Sequence, residues 1–361
     1  MDATLIATPV RGRLRPGGVL AVFGALLALA MIAALTIGAV RIPVPVLLDT
    51  LWSLVDPTAG ADVDAGQRAI LLQVRLPRLC LGIAVGIGLA MGGMLMQALF
   101  RNPLAEPTLI GVSSGAALAA VATIVFGGAL LGGKLPPGFG PYLLPFAAFL
   151  GGLAATIIVF RAAHQVGGIE VATLLLIGIA VNALCATGIG LLVFVSDDQQ
   201  LRMLTFWNLG SLGAATWPLV AVVTPAVLLV GWLALRLAPA LDLIQLGEVE
   251  ATHLGIRVDR LKRTAVVATA LLVGLVTGAA GIVGFVGLVV PHLVRLLIGP
   301  SHRWVAPGAL LLGAALVLGA DVLARVVVAP AELPLGLVTS AIGAPFFLGL
   351  LLMRAKRGGS P

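Results

Sequence analysis

The chain has 361 residues, of which 60 % are hydrophobic and 10 % charged, with mean hydropathy +1.14. Soluble domains are only about half apolar, so this composition excludes a water-soluble globular protein. The net charge of +7 does not point to nucleic acid, because in a membrane protein basic residues gather in cytoplasmic loops, and Cys80 and Cys185 form no metal or redox pattern.

Arg11, Arg13 and Arg15 precede an apolar run at about 19–40. They resemble a secretory n-region, but the run is too long for a signal segment and lacks a small-x-small cleavage site. It is expected to be the first span, behind a cytoplasmic tail at 1–17. Further spans are expected near 79–99, 108–130, 141–160, 171–195, 217–236, 304–328 and 336–353, each close to the roughly 20 residues that cross a bilayer. As one helix the stretch 264–298 would run roughly 52 Å. "GAAGIVGFVG" and Pro291 interrupt it, which predicts two spans, the second short. The expected fold is an all-α polytopic membrane protein of ten transmembrane helices, one domain over 18–356, with a tail at 357–361.

With both termini inside, 15 basic residues fall on the cytoplasmic side: Arg11, Arg13, Arg15, Arg101, Arg161, Arg236, Arg257, Arg260, Lys262, Arg263, Arg295, Arg303, Arg354, Lys356 and Arg357. Seven fall outside: Arg41, Arg68, Arg75, Arg78, Lys134, Arg202 and Arg325. The positive-inside bias supports that orientation. It also puts "LDLIQLGEVEATHLGIRVDRLKR", residues 241–263, inside, as the largest inward polar surface and a place for a soluble partner. The stretch 74–103 has a looser echo at 258–291 (a basic R-L-x-R, a long apolar helix, a glycine cluster, then proline), and the two start on opposite sides. Weak inverted repeats of this kind characterise transport folds.

Several motifs are decoys. "GALLGGKL" at 128–135 nearly fits a P-loop, but Leu135 stands where Ser or Thr would bind magnesium. "GVSSG" at 111–115 would make Ser113 a nucleophile only with a base in reach, and helix packing explains it better. The acids Asp197–Asp198 and Asp62/Asp64 read as solvated loop residues, and no histidine or cysteine cluster has metal-ligand spacing. Arg75 and Arg78 are anomalous: they stand outside, at the start of a helix whose positive end disfavours them. Arg325 follows Asp321 by four residues, so the two can pair within one helix. Lipid headgroups plus that pair form one reading; a basic rim that docks an acidic partner forms the other.

"RLPRLCLGIAVGIGLAMGGMLMQALFRNPLAEPTLIGVSSGAALAA", "LGEVEATHLGI", "GIVGFVGLVVPHLVR" and "AELPLGLVTSAIGAPFFLGLLL" together resemble the permease subunit of ABC importers for iron-siderophore, heme and cobalamin, over about residues 18–356. The segment 168–218 looks most like the heme-importing members. The resemblance implies a homodimer in the bacterial inner membrane, two cytoplasmic ATPase subunits that use ATP and Mg, and a periplasmic substrate-binding protein. It implies no ATPase site and no resident cofactor in this chain, with heme as cargo and ferric siderophore or cobalamin as alternatives. It assigns ATPase coupling to about 240–257 through Gly247, Glu248, Ala251, Leu254 and Gly255, and binding-protein docking to Arg75, Arg78 and Arg325. It also suggests that spans five and ten line the pathway, where Asn182, Thr187 and Thr339 are the few polar residues. From another class, an ion-coupled secondary transporter would need an intramembrane acid, for which Asp321 is the candidate.

Overall fold

The computed structural model describes residues 15–56, 64–131, 136, 138–167 and 171–358. Among them nearly the whole chain is helical and no strand occurs. In chain order the helices are α1 (Pro16–Thr36), α2 (Val44–Trp52), α3 (Ala65–Ile70), α4 (Leu76–Leu99), α5 (Val112–Leu131), α6 (Gly140–Gly167) and α7 (Val171–Phe194). They continue with α8 (Asp198–Leu209), α9 (Trp217–Ile244), α10 (Glu248–His253), α11 (Val258–Ala280), α12 (Val286–Ile298), α13 (His302–Val326) and α14 (Leu335–Gly358). Seven segments are long and apolar enough to cross a membrane: α1, the continuous 65–99 segment, α6, α7, α9, α11 and α13. Shorter apolar helices occupy 112–128, 286–298 and 335–349. The second half of the near-P-loop, residues 132–135, lies outside the described residues, as does Asp62.

The helix α4 is the axis of the bundle. Of its most apolar window 89 % is buried, against 17 % for α7. Glycines make that possible. A Cβ on Gly86 would lie 2.3 Å from the Gly313 carbonyl oxygen, and one on Gly93 would lie 1.8 Å from that of Gly287. Only bare backbone lets α13 and α12 come so near. Gly88 and Gly92 of α4 meet Val276 and Val273 of α11 in descending order, so these two helices of the expected repeat pack side by side and antiparallel.

The stretch 264–298 is divided as expected, but Pro291 is not the cause. The backbone unwinds after Ala280, with Gly281 at φ +73° and Phe285 at φ +66°, and α12 then runs through Pro291. Proline removes the hydrogen bond that the Gly287 carbonyl would otherwise accept. Gln97 of α4 replaces it, its Nε2 donating to Gly287 O at 3.3 Å and Leu288 O at 3.1 Å. Three short elements were not expected. A π turn at Leu71–Arg75 fuses α3 to α4, Pro43 opens α2, and α8 begins on a capping box. Asp197, read as a solvated loop acid, accepts from Gln200 N at 2.8 Å while Gln200 Oε1 accepts from Asp197 N at 3.1 Å.

Candidate functional site

The polar island closes α9 and opens α11 through the six-residue α10. Gly247 lies at φ +139° and Gly255 at φ +87°, conformations that a side chain resists. Gly255 N donates to Thr252 O at 2.9 Å and Ile256 N to Ala251 O at 2.9 Å, which ends α10 in a Schellman motif. Ala251 is fully buried and anchors α10 on the bundle. Glu248, its side chain 40 % exposed, is tied down to the bundle, 2.7 Å from Lys262 Nζ and 3.3 Å from Arg101. The charges therefore brace one another, and apolar groups face out: Leu246, Val249 and Leu254 are 65, 64 and 58 % exposed.

Arg75, Arg78 and Arg325 come together at the other end of the bundle, and all three are buried. None stands at a helix start, because 65–99 runs on through the π turn, so the expected dipole penalty does not arise. Instead Arg75 donates to Leu35 O and Val40 O, and Arg325 donates to Ile37 O at 3.0 Å and Ala34 O at 3.2 Å. Both cations thus serve the carbonyl end of α1, where positive charge is favourable. Arg78 grips the half-exposed Glu332 with both terminal nitrogens, at 3.0 and 2.9 Å, and buried Asp321 at 2.9 Å. The expected pair forms as well, with Arg325 Nε 3.1 Å from Asp321 Oδ2. Asp321 is thereby neutralised twice over, a poor state for an ion-coupling acid.

The three pathway candidates are separately engaged. Asn182 Nδ2 donates to Thr108 O at 3.1 Å, Thr187 Oγ1 to Ala183 O at 3.0 Å, and Thr339 Oγ1 to Gly336 O at 3.2 Å. Thr339 is buried beside a small pocket between α12, α13 and α14, whereas Thr187 is exposed on α7. The outer surface of α7 is otherwise apolar, with Leu176, Ile179, Leu184 and Phe194 all open.

One acid went unassigned from sequence. Glu106, between α4 and α5, accepts a hydrogen bond from Thr108 Oγ1 at 3.4 Å and lies near the Phe285 backbone N–H. Burial pushes its carboxyl above the ordinary range, and the Thr108 hydroxyl and the nearby N–H partly oppose the shift. The available signal was composition: Glu106 is the sole acid between Asp64 and Glu170.

A bundle of long apolar helices, with a short apolar projection at one end and a sealed arginine network at the other, fits a multi-pass membrane permease. Residues 26–354 match the FecCD transport family, and the chain belongs to that family. It is 42 % identical over 351 residues to the hemin transport system permease protein of Yersinia pestis, covering 97 % of this chain and 100 % of that protein. It is 37 % identical over 299 residues to the vitamin B12 import system permease protein of Klebsiella pneumoniae, covering 83 % of this chain and 87 % of that one. A solved metal-chelate type ABC transporter in an inward-facing conformation superposes with TM-score 0.80 at 31 % identity, over 94 % of this chain and 99 % of that one. The chain is thus the permease of a type II ABC importer, the transmembrane component, which lacks an ATPase site of its own. An ion-coupled secondary transporter is set aside on the same ground.

Proposed function

We propose that the chain carries heme across a bacterial inner membrane by alternating access, as a homodimer of ten-span subunits with cytoplasmic termini. The observation that carries the cargo is the 42 % identity that runs the whole length of a hemin permease. Apolar walls on α7 suit a flat amphipathic macrocycle, which slides past such surfaces without a polar trap. Two ATPase subunits, which use ATP and Mg, receive α10 through Gly247, Glu248, Ala251, Leu254 and Gly255. The supporting feature is the outward apolar trio on a segment otherwise rich in charge. A periplasmic binding protein docks on the end that Arg75, Arg78 and Arg325 hold, where its acidic side chains compete with Glu332 for Arg78. Asn182, Thr187 and Thr339 belong to the pathway helices α7 and α14.

Cobalamin is the second reading, favoured by the match to the vitamin B12 permease, with ferric siderophore as a further member of the same class. Proteoliposomes holding the permease, its ATPase and its binding protein decide among them. ATP-dependent accumulation of hemin above cyanocobalamin and ferric siderophore is the expected result. Cobalamin accumulation with hemin at the no-ATP level overturns the heme reading.

A further inference from the structure

A cleft of about 660 Å³ lies where α8 meets the ends of α6, α9 and α11. It sits at the arginine-cluster end of the bundle. There Trp217, at the head of α9, donates from Nε1 to Leu72 O at 2.8 Å, and Leu335 N donates to Gly210 O at 2.9 Å. Backbone contacts fix its walls. Ser211 N donates to Ala280 O at 2.8 Å, and a Cβ on Gly281 would lie 2.2 Å from Trp207 O, so the end of α8 is held on the end of α11. A Cβ on Gly278 would lie 2.5 Å from Pro145 O, which brings α6 close against α11. The cleft is therefore pre-formed, as small-molecule sites usually are, and its volume falls within their range of about 300–1,000 Å³.

Its chemistry is divided. Gln199, Arg202, Met203 and Phe206 share the face of α8 that lines the cleft, whereas Leu201 and Leu204 on the opposite face pack with Val121 and Val125 of α5. Arg202 is exposed and makes no ion pair or hydrogen bond among the described residues, unlike the sealed Arg75, Arg78 and Arg325. The Trp207 indole N–H and the Tyr142 hydroxyl, both on residues of the cleft, make no hydrogen bond among them either. One position past Pro145 and one turn past Leu219, Phe146 and Val222 are 50 and 60 % exposed, so the apolar wall continues down α6 and α9. No residue of α7 or α14 lines the cleft.

We propose that this cleft holds an anionic phospholipid of the adjoining leaflet, its phosphate on Arg202 and one acyl chain along Phe206, Leu219 and Val222. An exposed cation at the end of long apolar helices stands at headgroup level, where lipid phosphate is the abundant anion. Trp207 and Tyr142 offer apolar rings with a free polar tip, the combination that suits the boundary between headgroup and chain. The walls below them are apolar and open, which receives a chain lying along the helices. A compact soluble anion would find a single charged contact there and nothing for its other oxygens.

The test uses the permease–ATPase complex in phosphatidylcholine nanodiscs that carry a minor share of brominated lipid, whose bromines quench an indole on contact. Quenching of Trp207 is the signal of each chain minus that of the same chain with Trp207→Phe. Brominated phosphatidylglycerol is expected to reach half-quenching at about fivefold lower mole fraction than brominated phosphatidylcholine, the enrichment that one basic residue confers at a membrane surface. Arg202→Lys should keep that ratio and Arg202→Gln should bring it to unity. Ala214→Phe, which fills the mouth from an exposed position, should lower quenching by both lipids. A ratio of unity in the parent, a ratio that survives Arg202→Gln, or full quenching in Ala214→Phe overturns the proposal. So does loss of the ratio on adding glycerol 3-phosphate, which would make this a site for soluble phosphate esters. Relief of the quenching by substrate-free binding protein would instead assign the cleft to protein docking, and it too overturns the proposal.

Discussion

Asp321 and Glu332 share Arg78 in different surroundings. The Asp321 side chain is 2 % exposed and lies between two arginines, whereas that of Glu332 is 45 % exposed. Removing one partner of a buried ion pair costs about 3–5 kcal/mol, because a desolvated charge is left behind. A solvent-screened contact contributes about 0–1 kcal/mol. Asp321→Asn is therefore expected to lower the unfolding midpoint of the purified permease sharply, and Glu332→Gln only slightly; equal losses would contradict this division. Glu106 gives a test with pH. Its carboxyl binds a proton more tightly folded than unfolded, so folding stability falls as pH rises from the ordinary range near 4.5 through the raised value, then levels off. Unfolding midpoints of the parent minus those of Glu106→Gln should decline over that interval, and a flat difference would refute the shift.

At the scale of helices, close approach sets the energetics. A Cβ on Gly93 meets a backbone carbonyl that cannot rotate away, so Gly93→Ala is expected to cost about 1–3 kcal/mol or more. Gly231 of α9 is a control on the same axis, since its nearest neighbour is an Ile87 methyl at 3.5 Å. There alanine should be neutral or stabilising by up to about 1 kcal/mol, from its better helix propensity. Detergent unfolding of the two variants side by side checks the contrast. Hydropathy made the long helices legible, and the glycine cluster in "GAAGIVGFVG" located the break before α12. It could not show that Gln97 stands in for the bond lost at Pro291, because the two are 194 positions apart. The α8 helix was hidden for another reason. Its Asp197–Gln200 capping box is written in the chain, but a short polar helix beside long apolar spans reads as loop.

At the scale of the whole molecule, the sequence placed the two ends well and their surfaces poorly. The polar island and the arginine cluster at the opposite end were legible from charge alone, because charge is scarce in this chain. How the charges are held depends on partners distant in sequence: Glu248 is tied to Lys262 and Arg101, and Arg78 is sealed by residues 243 and 254 positions away. The consequence is sharpest at α10. Leu246 and Leu254 are exposed beside His253, Arg257 and Arg260, in the short segment between the apolar helices α9 and α11. An open apolar patch on such a segment marks a protein contact. Burying a leucine contributes about 1.5–3 kcal/mol, so Leu246→Asp with Leu254→Asp should weaken ATPase association by on the order of a hundredfold or more. Neither side chain supports the bundle, so the unfolding midpoint of the permease alone should not move. Titrating ATPase subunit onto immobilised permease reads both quantities. Undiminished association of a folded double variant would mean that the motor grips some other surface.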